Sequence, residues 1–205
     1  LELRTLWRGS ARLGNYGRVV RVLALTGQRR GEVAGMTWAE LDLAASMWRI
    51  PGSRTKAGRE QIIPLSAPVL EIIDGQSRSS HLVFPGKGGV VLSGFNKLKT
   101  RLNREMAADL ADLSEDERRV LVHAGPAVQG TATRKAAAIE KVQAIGVEPW
   151  RLHDLRRSVA TRLSRDGKVL PTTISHILNH SPGRTLGITG VYLRDDFIEE
   201  IGDAL

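Results

Sequence analysis

The stretch Pro51-Gly-Ser-Arg-Thr-Lys-Ala-Gly58 constrains this chain most. It separates two runs with strand character, Met47-Trp-Arg-Ile50 and Gln61-Ile-Ile-Pro-Leu65. The join is too short for a crossover and is punctuated by Pro and Gly, so the two runs pair as a β-hairpin. Lys56 therefore falls near the hairpin tip. A lysine there is ordinarily a solubilising charge. At a flexible basic tip it also has the reach to enter a DNA groove or to set an ammonium beside a leaving group.

Most of the remaining pattern is helical. Leu13, Val19, Val20, Leu23 and Leu25 form an apolar stripe in a stretch made basic by Arg4, Arg8, Arg12, Arg18 and Arg21. The spacing predicts a helix ending at Thr26-Gly27, where glycine accepts a left-handed cap. Gln28-Arg29-Arg30-Gly31-Glu32 follows, then a second short helix from Val33 to Met36. Two readings of that turn stand side by side. Its arginines lie in solvent, or Gly27 and Gly31 bend the backbone so that Arg29 leans into a cleft with Glu32 bracing it one turn later.

After the hairpin, Ser66 and Pro68 predict a helix start, with Leu70, Ile72 and Ile73 turned inward. His81-Leu-Val-Phe84 reads as a short strand, and Ser93 as the opening of a helix with Phe95, Leu98 and Leu102 on one side. Trp38 and Trp48 read as core. Composition shifts between Arg104 and Gly146, where Ser114-Glu-Asp-Glu117 has the form of a capping box before Val120, Leu121 and Val122. That segment, about 104–146, reads as an inserted or mobile surface element.

At 205 residues the chain holds one substantial core, or a domain with an insertion. A net charge of +8 tilts the expected partner towards nucleic acid or an anionic membrane surface. There is no cysteine, which removes disulfide frameworks and thiolate metal sites and is compatible with a reducing cytoplasm. No apolar run approaches membrane-spanning length. The opening Leu-Glu-Leu suggests a fragment of something longer.

Trp150-Arg-Leu-His-Asp-Leu-Arg-Arg-Ser158 opens a predicted helix that runs on to Leu163. His153 and Arg156, three residues apart, share a face, and Arg157 is turned aside. An imidazole beside a guanidinium suits an anionic centre, although such a pair on a basic helix is often only a solvated surface. Pro171 begins a further helix reaching Asn179-His180-Ser181-Pro182. His180 would lie at its C-terminus, where the helix dipole favours imidazolium. Tyr192 is one of two tyrosines, and an acidic tail follows from Asp195 to Asp203.

Five motifs, in order, resemble the catalytic domain of the tyrosine recombinases, the family of phage and genomic-island integrases. They are Thr26-Gly-Gln-Arg-Arg-Gly-Glu32, Thr55-Lys56, His153-Asp-Leu-Arg-Arg157, Leu178-Asn-His-Ser181 and Val191-Tyr192-Leu193. The resemblance implies a mainly α fold, a helical bundle with a small antiparallel β-sheet that carries Lys56. It implies that Arg29 and Arg156 clamp phosphate, that Tyr192 is the nucleophile, and that His153 and His180 are the intervening imidazoles. Lys56 would protonate the leaving oxygen and Glu32 would hold a supporting position. Two departures from the family pattern are a longer 104–146 connection and a wider spacing from His180 to Tyr192.

On this resemblance residues 1–205 are a C-terminal catalytic domain, and the family's usual N-terminal DNA-binding domains are absent. The expected activity is cutting and rejoining double-stranded DNA through a 3′-phosphotyrosine, without cofactor, metal or ATP. The expected setting is cytoplasmic, with no membrane partner. The whole protein would be a DNA-assembled tetramer and this chain alone a monomer. The rival readings are a type IB topoisomerase-like enzyme, a non-catalytic DNA-binding module, and a metal-dependent nuclease using Asp195, Asp196, Glu199 and Glu200. Those four carboxylates read better as the solvated face of a terminal helix.

Overall fold

Val19, Val20 and Leu23 recur at helical spacing, and in the computed structural model they are buried along α2, Gly14–Thr26. The helix ends at Gly27, whose φ of +66° is the left-handed conformation that only glycine takes without cost. The structure describes residues 3–122, 136–142, 147–165 and 169–179. The chain divides into two units, residues 1–18 with 93–150, and residues 19–92 with 151–205.

In the first unit α1 (Leu3–Ser10) packs on α5 (Phe95–Leu110). Gly94, at φ +71°, takes the N-cap of α5 where Ser93 was expected to open the helix, and no side chain caps it. Tyr16 is buried here, its ring centroid 5.7 Å from that of Phe95. Helix α5 runs unbroken across Arg104, so the change in composition there is not the end of an element. The capping box opens α6 (Glu115–Val122) as expected: the Ser114 N–H donates to the Glu117 carboxylate at 2.9 Å. The Glu117 N–H in turn donates to the Ser114 hydroxyl at 3.4 Å. Ala138, on α7 (residues 136–142), joins Ala108, Leu113 and Leu121 in one apolar cluster.

The second unit holds a three-stranded antiparallel sheet in the order β1 (Leu41–Asp42), β2 (Met47–Ile50), β3 (Gln61–Pro64). Trp48 faces Ile63 and Ile50 faces Gln61, which fixes the hairpin register. Trp48, Ile50 and Ile63 are buried, whereas Arg49 is exposed, the alternation a half-buried strand requires. Strand β1 escapes a sequence reading because two residues are too few to show a period. His81–Phe84 is not a strand but makes one bridge, Thr37 to Leu82, because its partner segment is bounded by the helix ending at Ala34 and the 3-10 turn Trp38–Glu40.

Helix α3 (Arg30–Ala34) precedes the sheet and α4 (Ala67–Asp74) follows it. In α4 the buried face is Val69 and Ile73, with Leu70 and Ile72 half-buried. Helix α8 (Leu152–Arg165) packs on α9 (Pro171–Ile177) through Val159, Leu163, Ile177 and Leu178. The fold is mainly α with a small antiparallel sheet. Among the described residues no helix is long and apolar enough to cross a membrane.

Candidate active site

The C-terminal carbonyls of a helix have no partners within it and must find donors elsewhere. At the end of α9, three successive carbonyls are met by side chains from distant parts of the second unit. The Ile177 carbonyl accepts from Gln28 Nε2 at 2.8 Å and from Gln61 Nε2 at 2.9 Å. The Leu178 carbonyl accepts from Arg156 Nη2, and the Asn179 carbonyl from Arg29 Nη2 at 3.1 Å. Asn179 itself has φ +44°, which turns the chain out of the helix; asparagine tolerates that region better than most residues.

Gly27 makes this convergence possible. A Cβ built on it would lie 3.1 Å from Leu178 Cδ2 and 3.1 Å from Val159 Cγ1, so both helices pack directly on its backbone. Its carbonyl accepts from Arg156 Nη1 at 2.7 Å. Arg156, on the second turn of α8, is 4% exposed and so joins α2's end to α9's end. Arg29 is braced as the sequence suggested. Glu32 takes its Nη1 at 3.0 Å through one carboxylate oxygen and its backbone N–H at 2.9 Å through the other.

Electrostatically the pair of arginines is unbalanced. Arg156 is lowered to about 10, first by burial and next by the positive charge of Arg29, with Glu32 acting in the opposite direction. The Arg156 guanidinium remains protonated at neutral pH, and Glu32 is the carboxylate that faces the pair of arginines. Both terminal nitrogens of each arginine already meet protein acceptors, Gly27 and Leu178 for Arg156, Glu32 and Asn179 for Arg29.

The other expected residues are placed as follows. His153 is exposed in the first turn of α8, whereas Arg156 one turn later is buried. Arg157 is turned away to solvent, 3.7 Å from Asp154. Lys56 is exposed in the hairpin connector. The structure thus gathers Arg29, with its brace Glu32, and Arg156 at the end of α9. His180, Tyr192 and the carboxylates Asp195, Asp196, Glu199 and Glu200 lie outside the described residues. Among the described residues no group of three or more histidines or carboxylates is arranged to hold a metal.

Sequence reasoning missed Gln28 and Gln61, 2% and 8% exposed, which hold each other at 3.3 Å as well as Ile177. The signal was present: Gln61 shares the buried face of β3 with Ile63, and a polar residue on an apolar face must find a partner.

The phage integrase family profile matches residues 15–197, most of the chain and every candidate position from Arg29 to Tyr192. The chain belongs to the phage integrase family. It is 36% identical to prophage integrase IntA of Escherichia coli (strain K12) over 66 residues. That stretch is 31% of this chain and 16% of IntA, so the match spans only a small part of that relative's length. No solved structure matches this integrase-family chain significantly.

Proposed function

We propose that this chain is the catalytic domain of a site-specific DNA recombinase that cuts and rejoins double-stranded DNA through a 3′-phosphotyrosine. The observation that carries the proposal is the pairing of Arg29 and Arg156 on consecutive carbonyls next to His180. Two fixed guanidiniums beside the end of α9 are suited to a phosphodiester, whose non-bridging oxygens gain charge as a fifth ligand approaches phosphorus.

On this reading the Tyr192 oxygen attacks phosphorus and the bond to the 5′-oxygen breaks. A free phenol has a pKa of about 10, so a neighbouring base must take its proton, a role open to His153 or His180. The departing 5′-oxygen takes a proton from Lys56. Arg29, Arg156 and protonated histidine answer the charge on the non-bridging oxygens, so the scheme asks for no metal. The phosphotyrosine keeps the bond energy, so attack by a 5′-hydroxyl of a second duplex rejoins DNA without ATP.

Glu32 is the support that fixes Arg29. The stretch 104–146 is, in the same reading, an addition to the family's usual connection. The whole protein works as a tetramer assembled on DNA, and this chain alone is a monomer.

The test is covalent capture. The chain is incubated with a pool of nicked duplexes of randomised sequence, and protein–DNA species that survive denaturant are recovered and sequenced. The proposal expects an adduct through Tyr192 that transfers DNA to an added strand with a free 5′-hydroxyl. A pool that yields no adduct overturns it. An adduct that reseals only its own strand favours the topoisomerase-like reading instead.

A further inference from the structure

Two residues before Lys56, the hairpin connector is anchored by an arginine that the scheme above does not use. Arg54 closes the single 3-10 turn Gly52–Arg54 that follows β2. Its Nη1 donates to both carboxylate oxygens of Glu40, and its Nη2 donates to the backbone carbonyl of Glu32 at 2.8 Å. Glu40 is 9% exposed and is itself fixed, accepting from Trp48 Nε1 at 2.9 Å. Thr55, 8% exposed, closes the other side of the loop by donating to the Arg59 carbonyl at 2.7 Å.

Glu32 is therefore shared. Its carboxylate holds Arg29 and its carbonyl holds Arg54, so a single residue links the Arg29 guanidinium to the loop that carries Lys56. The path is tight: a Cβ on Gly35 would lie 2.7 Å from Arg54 Nη2. Glycine at that position leaves the guanidinium room to reach Glu32, and an added Cβ would shift it. A solubilising hairpin tip needs no such anchorage, whereas an ammonium that must meet one particular oxygen does.

We propose that Arg54 is a positioning residue, which with Glu40 and the Glu32 carbonyl holds the Lys56 loop in register with Arg29. The inference rests on the reading of Lys56 as the proton donor to the 5′-oxygen. It does not make Arg54 a group that touches DNA.

The experiment compares two nicked duplexes of one captured sequence, one with the normal 5′-bridging oxygen and one with sulfur in its place. Sulfur leaves without a proton, so it relieves any defect in proton delivery and no defect elsewhere. Arg54→Ala, Arg54→Lys and Gly35→Ala are assayed beside Lys56→Ala. Gly35→Ala is the mild probe, because the atom it displaces is the far end of a long side chain. General acid catalysis contributes about 10²–10⁴-fold. A misplaced donor is expected to slow attachment to the oxygen substrate by about tenfold or more, and sulfur is expected to return most of that loss.

Recovery of the Arg54 and Gly35 variants on sulfur, in parallel with Lys56→Ala, supports the proposal. Equal slowing on both substrates while Lys56→Ala recovers overturns it, as does a wild-type rate for Gly35→Ala and Arg54→Lys on oxygen. Failure of Lys56→Ala to recover is a different result: it removes the proton-donor reading itself, and the positioning role with it.

Discussion

Arg156 and Arg29 donate to consecutive carbonyls, Leu178 and Asn179, at the end of one helix. Burial of the Arg156 guanidinium and, next, the like charge of Arg29 oppose folding, and the lowering of the Arg156 pKa to about 10 records both. The folded value lies below that of a free guanidinium, so the native state binds fewer protons than the unfolded chain between the two, and stability rises with pH only in that alkaline window. Below it the charged form is disfavoured in the native state, and an anion bound by both arginines would offset the part that comes from their repulsion.

Inorganic phosphate at constant ionic strength should therefore raise the melting temperature of the chain. A ligand at about 100 times its Kd contributes about 2.7 kcal/mol. Arg29→Ala removes half of the clamp and should lose most of the increment. Thermal denaturation of both proteins across a phosphate series measures it. The same increment in both would place the anion elsewhere.

A second electrostatic expectation concerns His176 on α9, whose pKa is lowered first by partial burial and next by Arg59. The folded value is depressed below 6.5, so its contribution to stability is fully present above pH 6.5 and is lost as pH falls through the folded value. Acidification below pH 6.5 should loosen α9, and His176→Gln should flatten that part of the melting-temperature profile. Arg59→Ala should flatten it partially, by removing one of the two causes. A profile unchanged in His176→Gln would assign the slope to another group.

The two tyrosines differ in a way that a covalent assay reads directly. Tyr16 is 1% exposed and packed against Phe95, so its hydroxyl is not presented to DNA. Tyr16→Phe should keep adduct formation and lose at most a modest part of the stability. Tyr192→Phe should bind DNA normally and form no denaturant-resistant adduct. Mass spectrometry of the linked peptide decides between them, and attachment at Tyr16 would remove the mechanism at its centre.

Much of this site was legible because its parts are local. The cap at Gly27, the Arg29–Glu32 brace, the hairpin and the helix beginning before His153 each lie within a few residues of sequence, where turn chemistry and helical period report them directly. What was not legible is what is joined across distance. Gln28 to Ile177 spans 149 residues, and nothing in either neighbourhood names the other. Arg54 drew no reading of its own from the sequence, because its partner Glu40 precedes the strand and its second acceptor is a backbone carbonyl. Ser93 failed as a helix opener because Gly94 supplies the left-handed turn that starts the helix one residue later.

The last expectation tests whether α9's end is held as a unit. Gln28 and Gln61 share the Ile177 carbonyl and also bond to each other, and both side chains are buried. Removing either should cost about 1–3 kcal/mol, because the remaining amide loses one buried partner while the carbonyl keeps one donor. Removing both leaves the carbonyl with neither glutamine donor, so the two effects should not add; contacting residues show couplings of about 0.5–3 kcal/mol. Urea denaturation of Gln28→Ala, Gln61→Ala and the double variant supplies the cycle. The same proteins should show faster amide exchange at Leu178 and Asn179, whose peptide groups are fixed through Ile177 on one side and the arginines on the other. Strict additivity with unchanged exchange at the helix end would mean that the glutamines fill space and that the arginines alone hold the end of α9.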